Sequence, residues 1–341
     1  MRNDSILILK GHEILSLLEG QEGALMHTVG AAYTAHALGQ SSLPHSVFLH
    51  FPEEPGNRII ALPAYLGDSV DMAGVKWVSS FPGNTERGLD RASAVIILNS
   101  AQTGRPTAIM EGSIISAKRT AASAALAASH LHAGRPAKRL GLIGCGLINF
   151  EVKTFLRAVY PELETMVLYD HSPQRAAAFK RKCRSVWRDV SVEIAGSPEE
   201  LLSTCSLISL ATTASEPHIM NLDQCAPGST LLHVSLRDLS PEAILASDNV
   251  VDDIDHVCRA RTSVHLAEQL TGNRDFVRCT LADILDGRAP ARRDPESIAV
   301  FSPFGLGVLD LAVAKLVFGL GLEHRSGSSI ESFLPASWLD R

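Results

Sequence analysis

Six residues, 144–149 of 341, have the spacing of a phosphate-binding turn. Gly144-Cys145-Gly146-Leu147-Ile148-Asn149 follow the apolar run LGLI and open a helical pattern. The first two glycines permit a tight turn and let backbone approach a pyrophosphate closely. The following helix start offers unpaired N–H groups and a positive dipole end to the phosphates. Asn149 stands where a third glycine is usual, which predicts slightly wider packing of helix against strand. Asp170 ends the next predicted strand, 24 residues after Gly146. A carboxylate there accepts hydrogen bonds from ribose hydroxyls and repels a 2′-phosphate, so it favours NAD over NADP. Arg175 is close enough in sequence to leave the phosphate form open.

Three further charged residues stand in unusual company. Lys76 lies in MAGVKWVSS, a predicted strand with apolar neighbours. It is either an edge lysine reaching solvent or a buried cation facing a site. Arg119 opens the small-residue stretch RTAASAALAA, and is either a surface arginine or a bidentate clamp for a carboxylate. Glu111 follows the strand TAIM and could orient either cation. Asp238 follows LLHVS in a loop at the end of a strand, where open α/β sheets bind ligands. Ser240 with Pro241 is the better helix cap there, which leaves Asp238 free for chemistry. Asp252 and Asp253 also end a strand and suit capping or solvated roles, as do His130 and His132 near a helix end.

No metal is expected, because the histidines lack metal-ligand spacing. The six cysteines form no C-x-x-C pair and read as buried free thiols, with Cys145 tolerated in the turn rather than nucleophilic.

The elements that must position these residues fall into two patterns. The N-terminal part reads as a strand (residues 6–9), helices (11–18 and 27–38), a hairpin within 47–62, strands (72–78, 94–98 and 107–110) and a long buried helix (112–132). From residue 138 strands and helices alternate: LGLIGCG, a helix (150–159), MVLYD, the helix SPQRAAAFKRKCRSV, then strands at 207–212, 230–235 and 249–252. Alternation at this spacing predicts α/β structure with a doubly wound parallel sheet. The final apolar helix, within GLGVLDLAVAKLVFGLGLE, has no following strand in this reading and is expected to return to the N-terminal part.

Net charge is −6 and no basic run is present, which argues against nucleic acid or an anionic membrane as partner and leaves a small molecule. The apolar run at the N-terminus is too short for a signal-peptide core, and no stretch approaches a membrane span. A cytoplasmic location is the expectation.

Together these residues resemble the ornithine cyclodeaminase/μ-crystallin family. The resemblance is densest from Gly74 to Ala128 (GVKW, RASAVIILN, TGRPTAIMEG, RTAA), then at LIGCGLI and SLRDLSPE. Within the family, RASAVIILN and the loop before it are most similar to siderophore-pathway dehydrogenases that make L-2,3-diaminopropionate. Those enzymes oxidise N-[(2S)-2-amino-2-carboxyethyl]-L-glutamate with NAD, and hydrolysis of the imine releases 2-oxoglutarate. The alternatives are ornithine cyclodeaminase or a ketimine or imino-acid reductase on the same scaffold, and then a non-catalytic dinucleotide-dependent binding protein.

The resemblance implies a homodimer. Its substrate and dimerisation domain would be α+β and built from residues 1–124 and 306–341, with a Rossmann NAD-binding domain at 125–305. It implies that Lys76 is a substrate-contacting acid/base residue and Asp238 the catalytic carboxylate. Arg119 would grip a substrate carboxylate and touch the cofactor. Ser93, Gly144, Gly146, Leu147, Ile148, Asp170, Thr212, Phe304 and Gly305 would fall on cofactor positions. Many relatives carry an arginine where this chain has His50, and Arg58 is the residue that could supply that charge to the substrate.

Overall fold

The computed structural model describes residues 5–335. Met1 to Asp4, the start of the charged N-terminus, and the last six residues lie outside them. The chain forms two compact units: one holds residues up to Arg119 and from Leu306 onward, the other Thr120–Gly305.

The first unit begins with β1 (Ile6–Leu9), α1 (Gly11–Leu17) and α2 (Glu22–Ala37). Strands β2 (Ser41–Ser42), β3 (Val47–Phe51), β4 (Glu54–Leu66), β5 (Met72–Ser80), β6 (Ala92–Ser100) and β7 (Pro106–Glu111) follow. The helix α2 starts five residues before the expected His27. Its first turn carries Glu22, which suits the helix dipole but leaves no apolar periodicity to read. The alanine-rich helix α3 (Ser113–Leu131) leaves this unit and enters the next; Ala121, Ala122, Ala124, Ala125, Ala127 and Ala128 are fully buried.

The second unit carries β8 (Arg139–Ile143), α4 (Leu147–Val159), β9 (Thr165–Tyr169), α5 (Pro173–Val186), β10 (Ser191–Ile194), α6 (Pro198–Thr204), β11 (Leu207–Leu210), β12 (Thr230–His233), α7 (Pro241–Leu245), β13 (Asp248–Val251), α8 (Ile254–Val257), α9 (Ser263–Thr271), β14 (Val277–Thr280), α10 (Leu281–Leu285) and β15 (Ala299–Ser302). Its eight strands run in the order β10-β9-β8-β11-β12-β15-β13-β14, with every pairing parallel. This is the doubly wound sheet, with its order reversing between β8 and β11. Such a switch point opens a crevice beyond the strand ends. The glycine turn leaves β8 there, and Thr212 follows β11. Strands β10 and β14 escape sequence reading because they are four-residue edge strands with alternating polar positions. The four-residue β15 is also unread, although it lies centrally and is wholly buried.

The chain then returns to the first unit as α11 (Gly307–Glu323) and β16 (Ser328–Ile330). The helix packs against α2, β4, β5 and β6, as its apolar sequence predicts. The short β16, absent from the sequence reading, closes the sheet edge antiparallel to β1. The resulting order is β16-β1-β7-β6-β5-β4-β2, with β3 beside β4. All its pairings are antiparallel except β1 with β7.

His132 corrects the expectation of a capping or surface role. It is fully buried, and its Nδ1 lies 3.0 Å from Thr230 Oγ1. Burial pushes its pKa down to about 4, since the charged ring loses its hydration. Between pH 6.5 and 4 the unfolded chain therefore binds a proton that the folded one does not, so stability falls as pH falls through that window. Urea unfolding at pH 7 and pH 5 should show about 2 kcal/mol of loss from this group. The difference between the two pH values should shrink by a comparable amount in His132→Gln; an unchanged difference would assign the acid sensitivity elsewhere.

Candidate active site

In the first unit three charged side chains share one buried cluster. Lys76 sits mid-strand on β5, between Leu62 of β4 and Ile96 of β6 in register. Its Nζ donates to Asp310 Oδ2 at 2.7 Å and to Ser116 Oγ at 3.1 Å. Arg119 Nε donates to Asp310 Oδ1 at 3.0 Å. Ser116 and Arg119 are three residues apart on α3, hence on one face of the helix. Lys76 is 3% exposed and Asp310 not at all, so Lys76 is the buried cation of the two readings. Burial lowers the Lys76 pKa to about 8, with Asp310 opposing and Arg119 reinforcing the drop. Burial alone would raise the Asp310 pKa, but Arg119 and Lys76 more than offset it and keep the carboxyl below its usual range. Asp310 escaped the sequence reading: it stands in the apolar helix α11, where one acid every few turns draws no attention. The signal that could have found it is an acid in the first turn of an otherwise apolar run, GVLDLAVA.

Glu111 orients neither cation. Its two oxygens accept from Ser113 N (2.7 Å) and Ile114 N (3.1 Å), capping α3. Arg58 and His50 are directly opposed on β4 and β3, so a cation does stand beside His50, one strand over. Arg58 Nε is buried without a hydrogen-bond partner. By strand alternation Arg58 shares a sheet face with Leu62 and Lys76, about 13 Å along the strand. Ser93 pairs in register with Ser79, and their hydroxyls are 2.8 Å apart. The same alternation puts Ser93 on the face opposite Lys76, so the structure does not bring it to this cluster.

In the second unit the glycine turn is built as expected, with one change. Gly144 has φ +93°, and a Cβ there would lie 2.4 Å from Ala211 O, so only glycine fits. Gly146 is different: a Cβ would meet nothing within 4 Å, and its backbone is extended. Nothing within the chain demands glycine at that point, and the space beside it is open. Gly146 caps α4 without a side-chain bond, so Leu147 and Ile148 begin a helix whose first N–H groups have no capping side chain. Asn149 does more than take up room. Its Nδ2 donates to Ile143 O (2.8 Å) and Gly144 O (2.7 Å), and its Oδ1 accepts from Ser209 Oγ at 2.7 Å. The missing glycine contact is replaced by three hydrogen bonds joining α4 to β8 and β11.

Asp170 accepts from Cys145 N (2.8 Å) and Ser172 N (2.9 Å), fixing it beside the turn. Arg175 Nε is 3.9 Å away and mostly exposed. The buried Cys145 thiol is pushed up to about 12 by burial and by Asp170, which rules out a thiolate nucleophile near neutral pH. All six cysteines are buried and unpaired. Among the described residues no cluster of His, Cys, Asp or Glu could hold a metal ion, and no helix is long and apolar enough to cross a membrane.

Asp238 is fully buried at the centre of a polar knot. Oδ1 accepts from the Thr212 hydroxyl and lies 3.0 Å from His218 Nε2; His233 Nε2 lies 3.4 Å from Oδ2. Burial pushes its pKa up, but His218 and His233 outweigh burial and hold it well below the carboxylate range. Thr212 thus holds Asp238 through its hydroxyl and accepts from Ala214 N at 3.1 Å. Ser240 caps α7, as expected. Asp253 caps α8, but Asp252 is neither cap nor solvated. It is buried and accepts from Phe304 N (2.9 Å) and Gly305 N (2.7 Å), so the loop after β15 is tied down through those N–H groups.

The two glycines separate stability from binding. Gly144→Ala should cost at least about 2 kcal/mol through strain and the Ala211 clash. Gly146→Ala should leave the melting temperature near wild type while NADH affinity, read by fluorescence titration, falls tenfold or more. Unchanged NADH affinity in Gly146→Ala would remove the pyrophosphate from this turn.

Comparison with known proteins fits this geometry. The model of the ornithine cyclodeaminase/mu-crystallin family matches residues 7–323. An alanine dehydrogenase of Archaeoglobus fulgidus is 31% identical over 333 residues, covering 96% of this chain and 98% of the relative. The N-((2S)-2-amino-2-carboxyethyl)-L-glutamate dehydrogenase of Staphylococcus aureus is 28% identical over 308 residues, covering 89% and 91%. Among solved structures, the Thermococcus litoralis Delta(1)-pyrroline-2-carboxylate reductase in complex with NADH and L-proline superposes with a TM-score of 0.87 at 26% identity, covering 95% of this chain and all of that one. An archaeal alanine dehydrogenase dimer with bound NAD gives 0.84 at 29% identity, covering 96% and 99%. A glycine turn at the switch point of a parallel sheet, an acid after the next strand and a match along nearly the whole chain agree: this protein belongs to the ornithine cyclodeaminase/mu-crystallin family.

Proposed function

We propose that this NAD-dependent amino-acid oxidoreductase oxidises the secondary amine of N-[(2S)-2-amino-2-carboxyethyl]-L-glutamate at the glutamyl α-carbon. Hydrolysis of the imine then gives 2-oxoglutarate and L-2,3-diaminopropionate, a building block for a siderophore or another natural product. The observation that carries the reaction class is the buried Lys76–Asp310–Arg119 cluster in a chain with a dinucleotide turn. The finer substrate is supported by the Staphylococcus aureus relative and by the RASAVIILN segment of β6.

Gly144, Gly146, Leu147, Ile148, Asp170 and Thr212 would hold NAD, which would supply a hydride acceptor. The remaining work falls to side chains. Arg119 bonds Asp310 through Nε, and a carboxylate can be gripped by the two terminal nitrogens. The substrate carries three carboxylates, and Arg58, with its buried unpartnered Nε, is a second grip. The amine must be neutral when its α-hydrogen leaves. Lys76, with a pKa near 8, can take the ammonium proton of the substrate nitrogen beforehand; once that proton has passed to solvent, it can take one from the water that attacks the imine and return it to the departing amine. Asp238 is ill suited to this step, because a carboxylate held so far below its usual range is a weak base. Its role in this reading is a fixed negative charge that orders Thr212 and His218.

The Archaeoglobus fulgidus relative supports a second reading, oxidation of L-alanine with release of ammonia. An absorbance assay for NADH with the conjugate, L-alanine or L-ornithine as substrate decides between them. Steady NADH with equimolar 2-oxoglutarate from the conjugate alone is the expected result. NADH from alanine, or proline from ornithine without net NADH, would overturn it. With the true substrate, kcat/KM should rise with pH through about 8 as Lys76 loses its proton. Lys76→Ala should lower kcat at least about a hundredfold with NADH binding intact.

A further inference from the structure

Asp310 spends each of its carboxylate oxygens on a different cation, Lys76 through Oδ2 and Arg119 through Oδ1. The three side chains come from β5, α3 and α11, so no local element fixes their mutual geometry. Asp310 is fully buried and has no water to replace either bond. It engages Arg119 at Nε, at the side of the guanidinium, which sets the direction of the two terminal nitrogens. It engages Lys76 together with Ser116 Oγ, so two of the three ammonium protons have fixed acceptors. The third has no acceptor among the described residues.

We propose that Asp310 is a positioning residue that aligns Lys76 for proton transfer and Arg119 for carboxylate binding, one with each carboxylate oxygen. This rests on the amine-oxidation reading above and deepens it. It assigns one net positive charge to the cluster when Lys76 is protonated, which suits capture of an anionic substrate, and none once Lys76 gives up its proton. The groups acting on Lys76 are Asp310 from α11 and Arg119 and Ser116 from α3; its register neighbours Leu62 and Ile96 carry no charge.

Two variants test this. Asp310→Asn keeps the shape and removes the charge, and Asp310→Glu keeps the charge and displaces it by one methylene. In Asp310→Asn the limb of the kcat/KM profile set by Lys76 should move to lower pH by roughly one unit or more, because an opposite charge no longer favours the ammonium. KM should rise about tenfold as Arg119 loses its anchor. Asp310→Glu should keep the limb near its wild-type pH but raise KM several-fold. NADH affinity should change less than KM in both.

A substrate-independent reading comes from an NMR titration of the Lys76 side chain with 15N-labelled lysine, the signal assigned by its loss in Lys76→Arg. The titration midpoint should fall in Asp310→Asn and not in Asp310→Glu, whichever amino acid proves to be the substrate. An unmoved midpoint in Asp310→Asn, or wild-type KM and kcat in Asp310→Glu, overturns the proposal. If Asp310→Asn does not fold, Asp310→Glu decides alone. If the midpoint moves but the conjugate is not oxidised, the substrate reading fails and the positioning role stands.

Discussion

A carboxylate with no access to water, bonded to a lysine on one side and an arginine on the other, is the constraint on which the first unit is organised. Two cations cannot be buried together without a compensating charge, and removing one partner from such a group leaves an uncompensated ion. Lys76, Arg119 and Asp310 therefore have to arrive together. That requirement explains why the chain, after building an entire second unit, returns to the first as α11. The helix brings the acid as well as apolar surface. Its burial against β4, β5 and β6 holds Asp310 at a fixed depth beside a strand lysine.

The second unit ties down carboxylates too, for different ends. The half-buried Asp170 braces the glycine turn through Cys145 N–H and also accepts from Ser172 N–H. Asp238 orders Thr212 and His218 beyond the strand ends. Asp252 fastens the loop after β15 by accepting from Phe304 and Gly305. The partners of each differ. Backbone donors make Asp170 and Asp252 braces. The Thr212 hydroxyl and the neighbouring His218 and His233 make Asp238 a fixed anion, and burial leaves Lys76, between Asp310 and Arg119, with a pKa near 8. The chemistry of each carboxylate follows from its donors rather than from its residue type.

Much was legible along the chain because its causes are local. The glycine turn could be read since φ +93° and a crowded neighbour at Gly144 admit no other residue. The alternation of strands and helices announced the parallel sheet, and six buried alanines announced α3. Short edge strands such as β10 and β14 were not legible, because four residues with one buried face carry too little pattern. Glu111, Asp252 and His132 were each misjudged for one reason: their surroundings are built by segments remote in sequence, or by a cap geometry that spacing does not reveal.

The sequence by itself determined the alternation of the longer strands and helices, the glycine turn with its acid, and the presence of cations in apolar stretches. It could not say what those cations faced. Lys76 and its acid are 234 residues apart, and Arg119 and that acid 191. Hydrophobic periodicity reports which face of an element is buried, but carries no record of what packs against it. Only the tertiary structure, by returning α11 to the first sheet, decided that the lysine is a buried group tuned by an aspartate and an arginine instead of an edge residue reaching for solvent.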